Sequence, residues 1–383
     1  MRLCVVGAGM YVTGDGTPGY GTVLTALAEH HRRQPFSEIV VTAAHDASEQ
    51  KLQRAVRGIQ EQLHVNLPAR FEQAGPRPPS GHFDAAVVSV PDHLHTQMTL
   101  PLLEQGVHCL VVKPLAPSLA EAQQLTDVAA RRGVLGMVEF HKRWDESNLL
   151  ARKAIANGTL GDLVCLQVEY SQKRDIPLRH FKAWAHQTNI FQYLGVHYVD
   201  LVYFLTGMRP LRVAAAGTHG VLASQGVDTF DSVHAMVEWE QPGSTPRKMM
   251  STFSISWVDP SNTTAMSDQR FVLVGSRGRL LADQKHRGLE LVTDVNGAQA
   301  PNPYFSELLP GPDGELRAWG YGIRSIQQFL HDVGEVRAGR TSPAALDATR
   351  PSFHQARVST AVVEAANESL AQHGAWRDIH VVA

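Results

Sequence analysis

The sequence predicts an α/β protein of two domains, a doubly wound parallel sheet followed by an α+β domain with a large, mostly antiparallel open sheet. Short apolar strands alternate with helical patterns as far as Arg143, which is typical of a parallel sheet covered on both faces. Beyond Gly207, alternating strands follow one another without helices, which indicates an antiparallel sheet with one covered face. We therefore predict a first domain over residues 1–143 and a second over residues 144–383.

Composition and charge limit the partners, metal sites and compartment that we expect for this protein. A net charge of −2 gives no support for nucleic acid or an anionic membrane as a partner. The 19 histidines are scattered without the spacing of a zinc site, so we expect no metal. The 3 cysteines lie in or beside apolar runs, which predicts free thiols in a reducing compartment. We find neither a signal peptide pattern nor an apolar run of about 18 residues, and expect a cytoplasmic protein.

The chain begins with an apolar strand that runs into Gly7-Ala8-Gly9. A Gly-x-Gly turn after a strand is typical of a dinucleotide-binding βαβ unit, because it lets the backbone come close to a pyrophosphate. Val12 stands where the third glycine of this pattern belongs, and the next helix is predicted to begin only at Thr22.

A glycine-rich stretch at residues 13–21 separates the turn from that helix. It is either an insertion or a rebuilt phosphate site around Gly21 and Thr22 at the helix N-terminus. A surface loop unrelated to cofactor is the third alternative. Because phosphate would repel Asp15, we expect this side chain to point away.

An acid follows the second predicted strand, Glu38 to Ala44. In dinucleotide-binding folds an acid at this place binds the adenosine ribose, and Asp46 is the best candidate, with His45 as its competitor. No arginine between Val41 and Gln50 could bind a 2′-phosphate, which favours NAD over NADP. The alternative is that Asp46 only caps the next helix.

Two more buried strands are predicted at residues 83–90 and 107–112. The first runs into Pro91 and the helix that His95 opens, and the second ends at Lys113-Pro114. A lysine at the carboxyl end of a parallel strand lies where open α/β sheets bind ligands.

A helix predicted over Asn189 to Gly207 carries polar residues on one face. Tyr193, His197, Asp200 and Phe204 recur at helical spacing, and the adjoining stripe should pack on the core; its residues are Leu194, Tyr198, Leu201 and Leu205. A glycine in the interior, Gly195, indicates the close approach of another element or of a flat ligand. The alternative is an ordinary packing contact, with His197 as a core histidine.

Six segments of the sequence match the conserved blocks of one protein family in their order: Val5–Gly9, Val87–His95, Val111–Ala116, Gly158–Leu163, Gly195–Gly207 and Val272–Leu280. In order and spacing they resemble the Gfo/Idh/MocA family, named for glucose–fructose oxidoreductase, inositol dehydrogenase and a rhizopine catabolism protein. The resemblance covers nearly the whole chain and implies a Rossmann domain followed by an α/β domain whose open sheet often forms the oligomer interface. Val112 stands where the family usually has the glutamate of Glu-Lys-Pro.

The resemblance implies hydride transfer between a nicotinamide and a hydroxyl group of a sugar, amino sugar or cyclitol. The family lysine matches Lys113 and its substrate-side histidine matches His197, while Tyr193 stands where many members have an aspartate. We expect these three residues to be catalytic. A nearby cation lowers the pKa of a phenol, so Tyr193 could exchange the substrate proton, with His197 orienting the hydroxyl or acting as the base.

The cofactor, NAD with NADP as the alternative, is expected to contact Gly7, Gly9, Met10, Asp46, Ser89, Val90, Pro91, His95, Lys113 and Pro114. Substrate hydroxyls are expected to meet Arg143, Arg174, Trp184, Asn189 and Gln192. For Arg143 and Trp184 the alternative is ordinary pairing and packing.

Three functions stay open at this point. One is a sugar or cyclitol dehydrogenase, the second an enzyme that uses bound NAD transiently for epimerisation or glycoside cleavage, and the third a non-catalytic dinucleotide sensor. The presence of Lys113 and His197 argues against the sensor. We also expect a homodimer or homotetramer formed through the second sheet, because its strands carry apolar residues at alternate and intervening positions.

Overall fold

The computed structural model describes residues 1–17, 19–75, 78–79, 81–241, 243 and 246–381. Strands and helices alternate along the first part of the chain: β1 (Arg2–Val6), α1 (Met10–Thr13), α2 (Thr22–His31), β2 (Glu38–Ala43), α3 (Ala47–Leu63), β3 (Ala69–Gln73), β4 (Ala85–Val88), α4 (His95–Glu104), β5 (His108–Val112), α5 (Leu119–Arg132) and β6 (Gly136–Glu139). Short 3₁₀ turns follow β4 at Asp92–Leu94 and β6 at His141–Trp144.

The remaining elements are mostly strands until near the end: α6 (Glu146–Ala156), β7 (Leu163–Lys173), α7 (Val196–Thr206), β8 (Arg209–Thr218), β9 (Ser232–Gln241), β10 (Arg247–Asp259), β11 (Ser267–Gly275), β12 (Gly278–Asp283), β13 (Leu291–Thr293), β14 (Gly297–Gln299), β15 (Glu307–Pro310), β16 (Leu316–Trp319), α8 (Tyr321–Arg337), α9 (Pro343–Asp347), α10 (Phe353–Ala371) and β17 (Arg377–Asp378). Two π-helical turns lie at Ile176–His180 and Phe191–Gly195, and the second leads directly into α7.

The chain divides into two compact units. Unit 1 comprises Met1–Trp144 and Tyr304–Arg357, and unit 2 comprises Asp145–Pro303 and Val358–Ala383. The sequence-based division placed the segment 304–357 in the second domain, whereas here it belongs to unit 1. The reason is packing: Ile323, Ile326 and Phe329 of α8 are fully buried in the same core as β1 and α2.

Unit 1 is built on a parallel sheet with the strand order β3-β2-β1-β4-β5-β6. Every neighbouring pair in it is parallel. Its central strands are almost wholly apolar and buried, as expected of a sheet covered on both faces. The predicted doubly wound sheet is therefore confirmed, and Gly7, Ser89 and Lys113 follow β1, β4 and β5 at its carboxyl edge.

Unit 2 is built on a sheet with the order β12-β11-β7-β10-β9-β8-β17. Only β7 and β10 pair in parallel among its described strand pairs, so the predicted, mostly antiparallel sheet is also confirmed. One face of this sheet is buried, and the side chains of Trp239, Phe253 and Trp257 lie on it. The other face of β9 and β10 is mostly polar, with residues such as His234 and Thr252. Apolar residues also occur on this face, as the sequence predicted; Met236 of β9 is 44% exposed and Leu281 of β12 is 56% exposed.

The helix predicted over residues 189–207 begins with a π-helical turn before α7. Gly207 ends it in the left-handed conformation, at φ 65°. The apolar stripe is buried as predicted, from Leu194 to Leu205. A Cβ atom at Gly195 would lie 2.6 Å from the Phe191 ring, so this glycine makes a packing contact and does not make room for a flat ligand.

Candidate active site

The turn after β1 leaves no room for a side chain at Gly7. Its φ is 104°, and an added Cβ atom would lie 2.0 Å from the carbonyl oxygen of Ser89. At Gly9, by contrast, an added Cβ atom would meet nothing within 4 Å. The backbone at Gly9 therefore borders open space, as a turn that accepts a pyrophosphate requires. The residues present fit a dinucleotide here.

The glycine-rich stretch, residues 13–21, packs against α3 and against α1. Asp15 pairs with Lys51 of α3 at 2.8 Å, which agrees with the expectation that it points away. A Cβ atom at Gly21 would lie 2.0 Å from the carbonyl oxygen of Val12, and Thr22 is buried. The start of α2 is therefore closely packed against α1, and the three alternatives for this stretch stay predictions; Pro18 lies outside the described residues.

Asp46, the acidic residue that follows β2, is accessible to solvent. Asp46 is exposed and occupies the position before α3, but its side chain makes no capping hydrogen bond. His45 is exposed beside it. Helix capping therefore does not explain Asp46, and a carboxylate at this place is compatible with a ribose.

Lys113 is buried at the carboxyl end of β5, with 7% of its surface exposed, and its peptide bond to Pro114 is cis. Burial lowers the pKa of Lys113 to about 8, while the charges of Asp92 and Glu139 act in the opposite direction. An amine with this pKa exchanges protons near neutral pH, which is what a group that takes part in proton transfer requires.

His95 contacts the loops that follow β4 and β5 at the carboxyl edge of the sheet. Its Nδ1 lies 2.6 Å from the carbonyl oxygen of Pro114, and its Nε2 lies 2.9 Å from that of Val90. The ring is 1% exposed. Both ring nitrogens thus contact main-chain oxygens, so His95 positions the segments around Lys113 instead of binding cofactor with its nitrogens. Around it, Pro114 is buried and the other predicted contacts are half-buried, namely Met10, Ser89, Val90 and Pro91.

In unit 2, Tyr193 lies in an aromatic cluster. Its ring centroid is 5.0 Å from Phe181, 6.3 Å from Trp184 and 5.4 Å from Trp257. Phe181, Trp184 and Tyr193 are half-buried, whereas Trp257 is fully buried beneath them. His197 follows on α7 and is 3% exposed. This surface is aromatic and half-open, which is typical of small-molecule sites.

Asn189 and Gln192 are engaged by the protein itself. The Asn189 side-chain oxygen accepts hydrogen bonds from the backbone N–H groups of Phe191 and Gln192, at 3.0 Å each. Its amide donates to Asn367 of α10 at 2.8 Å, and Asn367 donates to Gln192 at 3.1 Å. We therefore assign Asn189 to capping the helix start, because its side-chain oxygen accepts from two backbone N–H groups there.

The two predicted substrate arginines also have protein partners. Arg143 is 5% exposed and donates to Gln355 at 2.7 Å, which is the pairing that sequence analysis had left as the alternative. Arg174 donates to the carbonyl oxygens of Val258 and Asp259, at 3.2 and 3.4 Å. Both arginines thus have structural roles in their own units.

Three contributors to these surroundings were not predicted from the sequence: Asp92 and Glu139, whose charges act on Lys113, and Phe181 beside Tyr193. An acid at the end of an apolar strand was the available signal for Glu139, and the spacing of three residues between Phe181 and Trp184 was the signal for the cluster. Within the described ranges, no group of His, Cys, Asp or Glu could hold a metal ion. No helix of this part of the chain could cross a membrane.

Two family models match the chain in succession. The model described as an oxidoreductase family with an NAD-binding Rossmann fold matches residues 1–140, and the GFO/IDH/MocA C-terminal domain matches residues 148–281. Together they cover well over half of the chain. The parallel sheet with its dinucleotide turn agrees with this match, which identifies an NAD-binding oxidoreductase. The chain belongs to the Gfo/Idh/MocA family, and the resemblance found in the sequence is confirmed.

Two related proteins and one solved structure are consistent with this family assignment. A scyllo-inositol 2-dehydrogenase (NADP(+)) of Bacillus subtilis is 28% identical over 41% of this chain, and the match spans 43% of that protein, less than two thirds of its length. A myo-inositol 2-dehydrogenase of Thermotoga maritima is 22% identical over 74% of this chain and 78% of its own. The fold matches scyllo-inositol dehydrogenase from Lactobacillus casei, solved with NAD(H) and scyllo-inositol, with a TM-score of 0.69, 16% identity and coverage of 99% of this chain and 98% of that one.

Proposed function

We propose that the protein is an NAD-dependent dehydrogenase that moves a hydride between the nicotinamide and a secondary hydroxyl group of a sugar, amino sugar or cyclitol. The observation that carries the proposal is Lys113, buried at the carboxyl edge of the sheet with a pKa lowered to about 8. Relatives named as inositol dehydrogenases support the substrate class.

The residues that would hold the cofactor are those of the Gly-x-Gly turn and the acid after β2. Gly7 allows the tight turn, Gly9 leaves space for the pyrophosphate, and Asp46 would bind the adenosine ribose. When bound, NAD supplies the hydride acceptor, and the protein supplies position and proton transfer.

Proton transfer is assigned to three side chains. Tyr193 exchanges the hydroxyl proton, Lys113 is the cation that favours the phenolate, and His197 orients the hydroxyl. An unperturbed phenol titrates at about 10, so it needs a nearby cation to act as a base near neutral pH. The role of Trp184 follows from the aromatic cluster: half-buried rings beside Tyr193 are suited to the C–H face of a sugar or cyclitol ring.

The test is a screen of sugars, amino sugars and cyclitols with NAD, followed by NADH absorbance. Steady formation of NADH with at least one compound is expected. Turnover of substrate without released NADH would instead identify an enzyme that uses bound NAD transiently. Tight NAD binding without turnover of any compound would point to a dinucleotide sensor and contradict the proposal.

We also propose a homodimer or homotetramer that associates through the exposed face of the unit 2 sheet. Met236 and Leu281 of this face are 44% and 56% exposed and lie among polar residues. Light scattering at micromolar concentration should give a multiple of the 42.0 kDa chain mass, and Met236→Glu with Leu281→Glu should lower it. A mass of one chain for the unsubstituted protein would refute this proposal.

A further inference from the structure

The first lysine and the first arginine after β2 are paired with an acid of the glycine-rich stretch. Both cations, Lys51 and Arg54, lie on α3, the helix that follows Asp46. Nζ of Lys51 is 2.8 Å from Oδ2 of Asp15, and Nη2 of Arg54 is 3.8 Å from Oδ1 of the same side chain. One carboxylate therefore occupies the two cations of α3 that follow Asp46 most closely in the sequence.

Lys51 lies on the side of α3 that faces α1, near the carboxyl edge of the unit 1 sheet. At this edge β1 and β2 are parallel neighbours, and the N–H group of Gly7 donates to the carbonyl oxygen of Thr42 at 2.8 Å. Helices α1 and α3 follow these two strands, so both begin at the same edge. Asp15 comes directly after Gly14, the C-cap of α1. Because Lys51 contacts Asp15, it borders the space between the two helices, beside the proposed ribose site.

The length of a lysine side chain fits this position. The helical rise places Lys51 about 7.5 Å along the axis of α3 from Asp46. Long side chains on a helix point back toward its N-terminus, and the ammonium group of lysine ends a flexible four-carbon stem. Arg54 lies about 4.5 Å farther along the axis. Lys51 is therefore the cation that a phosphate group on the ribose would meet first.

Contacts within the glycine-rich stretch and with α3 hold Asp15 in place. The N–H group and the hydroxyl of Thr17 both donate to the carbonyl oxygen of Gly14, at 2.9 and 2.8 Å. The Tyr20 ring covers Gly58 of α3, where an added Cβ atom would lie 2.5 Å from Cε1 of the ring. The stretch is thus attached along α3, and its carboxylate stays beside the two cations.

The pairing bears on the choice between NAD and NADP. NADP carries a phosphate group on the 2′ oxygen of the adenosine ribose, and in dinucleotide-binding folds a cation near the ribose accommodates that group. An ion pair with Asp15 keeps Lys51 from this role. The carboxylate of Asp15 also repels an approaching phosphate. Asp15 therefore acts against NADP in the same direction as Asp46.

We propose that Asp15 is a specificity-determining residue for the cofactor, because it pairs with Lys51 and so withholds the cation that would bind the 2′-phosphate of NADP. The glycine-rich stretch then serves to present this carboxylate to α3. The inference rests on the proposed binding of NAD between the Gly-x-Gly turn and Asp46.

The experiment is isothermal titration of the full chain with NAD and with NADP. Asp15→Asn keeps the size of the side chain and removes its charge. Because a hydrogen bond to a charged group becomes available, the Kd for NADP should fall about tenfold, while the Kd for NAD should stay unchanged. The pair is partly exposed, so the variant should lose little stability and fold normally. Without a fall in the Kd for NADP the inference would be overturned.

Two double variants identify the cation that is released. Asp15→Asn/Lys51→Met should lose the gain in NADP affinity, since the phosphate then has no lysine to bind. Asp15→Asn/Arg54→Met should keep it, because Arg54 starts farther from the ribose. A gain that survives Lys51→Met would show that Asp15 acts by repulsion alone, and would overturn the role given to Lys51.

Glu38→Gln is the matched control. Glu38 is also a carboxylate of unit 1 between two cations, with Arg2 at 2.5 Å and Arg70 at 2.6 Å, but it lies at the start of β2 and so at the opposite edge of the sheet. It should leave the Kd of both dinucleotides unchanged. If Glu38→Gln improved NADP binding as much as Asp15→Asn, the effect would come from net charge and the inference would fail.

Failure of the inference and failure of the proposed function give different results. If Asp15→Asn gains NADP affinity through Lys51 but no sugar or cyclitol is oxidised, the proposed function fails while the inference stands. If NAD-dependent oxidation occurs and Asp15→Asn gains nothing, the reverse holds. An unsubstituted protein that binds NADP as tightly as NAD would also overturn the inference, because Lys51 would then be available in spite of Asp15.

Discussion

Gly7 lies so close to Ser89 that a Cβ atom at residue 7 would come within 2.0 Å of the Ser89 carbonyl oxygen. The two residues follow β1 and β4, which are adjacent parallel strands. The contact, together with the φ of 104° at Gly7, explains why only glycine fits there. Gly9, two residues on, has no such neighbour, so the two glycines serve different purposes.

Alanine substitutions should separate these purposes. Gly7→Ala should lower the free energy of unfolding by about 1 to 3 kcal/mol or more, since backbone strain and a clash combine. Gly9→Ala should leave stability unchanged, because its φ of −77° suits alanine, but should weaken NAD binding about tenfold or more. Urea denaturation measures the free energy of unfolding of both variants, and isothermal titration measures their affinity for NAD. Normal NAD affinity in a folded Gly9→Ala protein would place the pyrophosphate elsewhere.

Asp46 should make the protein bind NAD in preference to NADP. Losing hydrogen bonds to a charged group costs about 1.5 to 3 kcal/mol, so Asp46→Ala should raise the Kd for NAD by roughly ten- to a hundredfold. Asp15→Ala is the control, because Asp15 is another partly exposed aspartate of unit 1 but pairs with Lys51. It should bind NAD normally. A tenfold or greater preference of the unsubstituted protein for NADP in isothermal titration would argue against the ribose role.

Tyr193→Phe should remove proton transfer while keeping the aromatic cluster. General acid–base groups contribute about 10²- to 10⁴-fold, so kcat should fall by that factor with little change in NAD affinity. Tyr198→Phe is the matched control, because its hydroxyl donates to Gln284 at 2.6 Å inside the core. It should affect stability and not kcat.

Companion variants identify the base. Lys113→Ala should also lower kcat, and His197→Ala should raise KM and slow turnover together. Near-normal turnover in Tyr193→Phe with an inactive His197→Ala would make His197 the base and leave Tyr193 as packing. Full activity in all three variants would show that the reaction takes place at other residues.

Mild acid should destabilise unit 1 through two histidines. Burial, as the largest cause, lowers the pKa of both His30 and His108 to about 4, from 6.5. The backbone N–H of Leu135 donates to Nδ1 of His108 at 2.8 Å, which requires that nitrogen to be unprotonated. Because the folded-state pKa is the lower one, the contribution of each histidine is complete above pH 6.5 and is lost as the pH falls toward 4.

We expect each histidine to lower the free energy of unfolding by roughly 1 to 2 kcal/mol between pH 7 and pH 5. Denaturation curves at several pH values measure the slope. His30→Leu should flatten it, and the exposed His186→Gln should not. A stability that does not change between pH 7 and pH 5 would contradict the assignment.

Much of the fold could be predicted because its signals are local. Apolar runs marked β1, β2, β4 and β5, and helical spacing marked the buried stripe from Leu194 to Leu205. The Gly-x-Gly turn and Lys113 were predicted for the same reason, since each follows directly on a strand. The hairpin of β15 and β16 and the return of α8 to unit 1 were not, because no local pattern states which core a late segment joins.

Roles of single polar residues depended on contacts between distant parts of the chain. Asn189 contacts Asn367, and Arg174 contacts the carbonyl groups of β10; neither contact could be predicted from the sequence. Spacing along a helix identifies the face on which a residue lies. It does not identify the partner that the residue meets there.

By itself, the sequence determined the order of strands and helices, the family and the candidate lysine, tyrosine and histidine, because these depend on residue types at short spacing. Only the tertiary structure decided that Glu139 stands opposite Val112 and that Phe181 and Trp257 enclose Tyr193. Strand register and ring packing join residues far apart in the chain. Their geometry is set when whole strands pair and whole cores close, which no local pattern encodes.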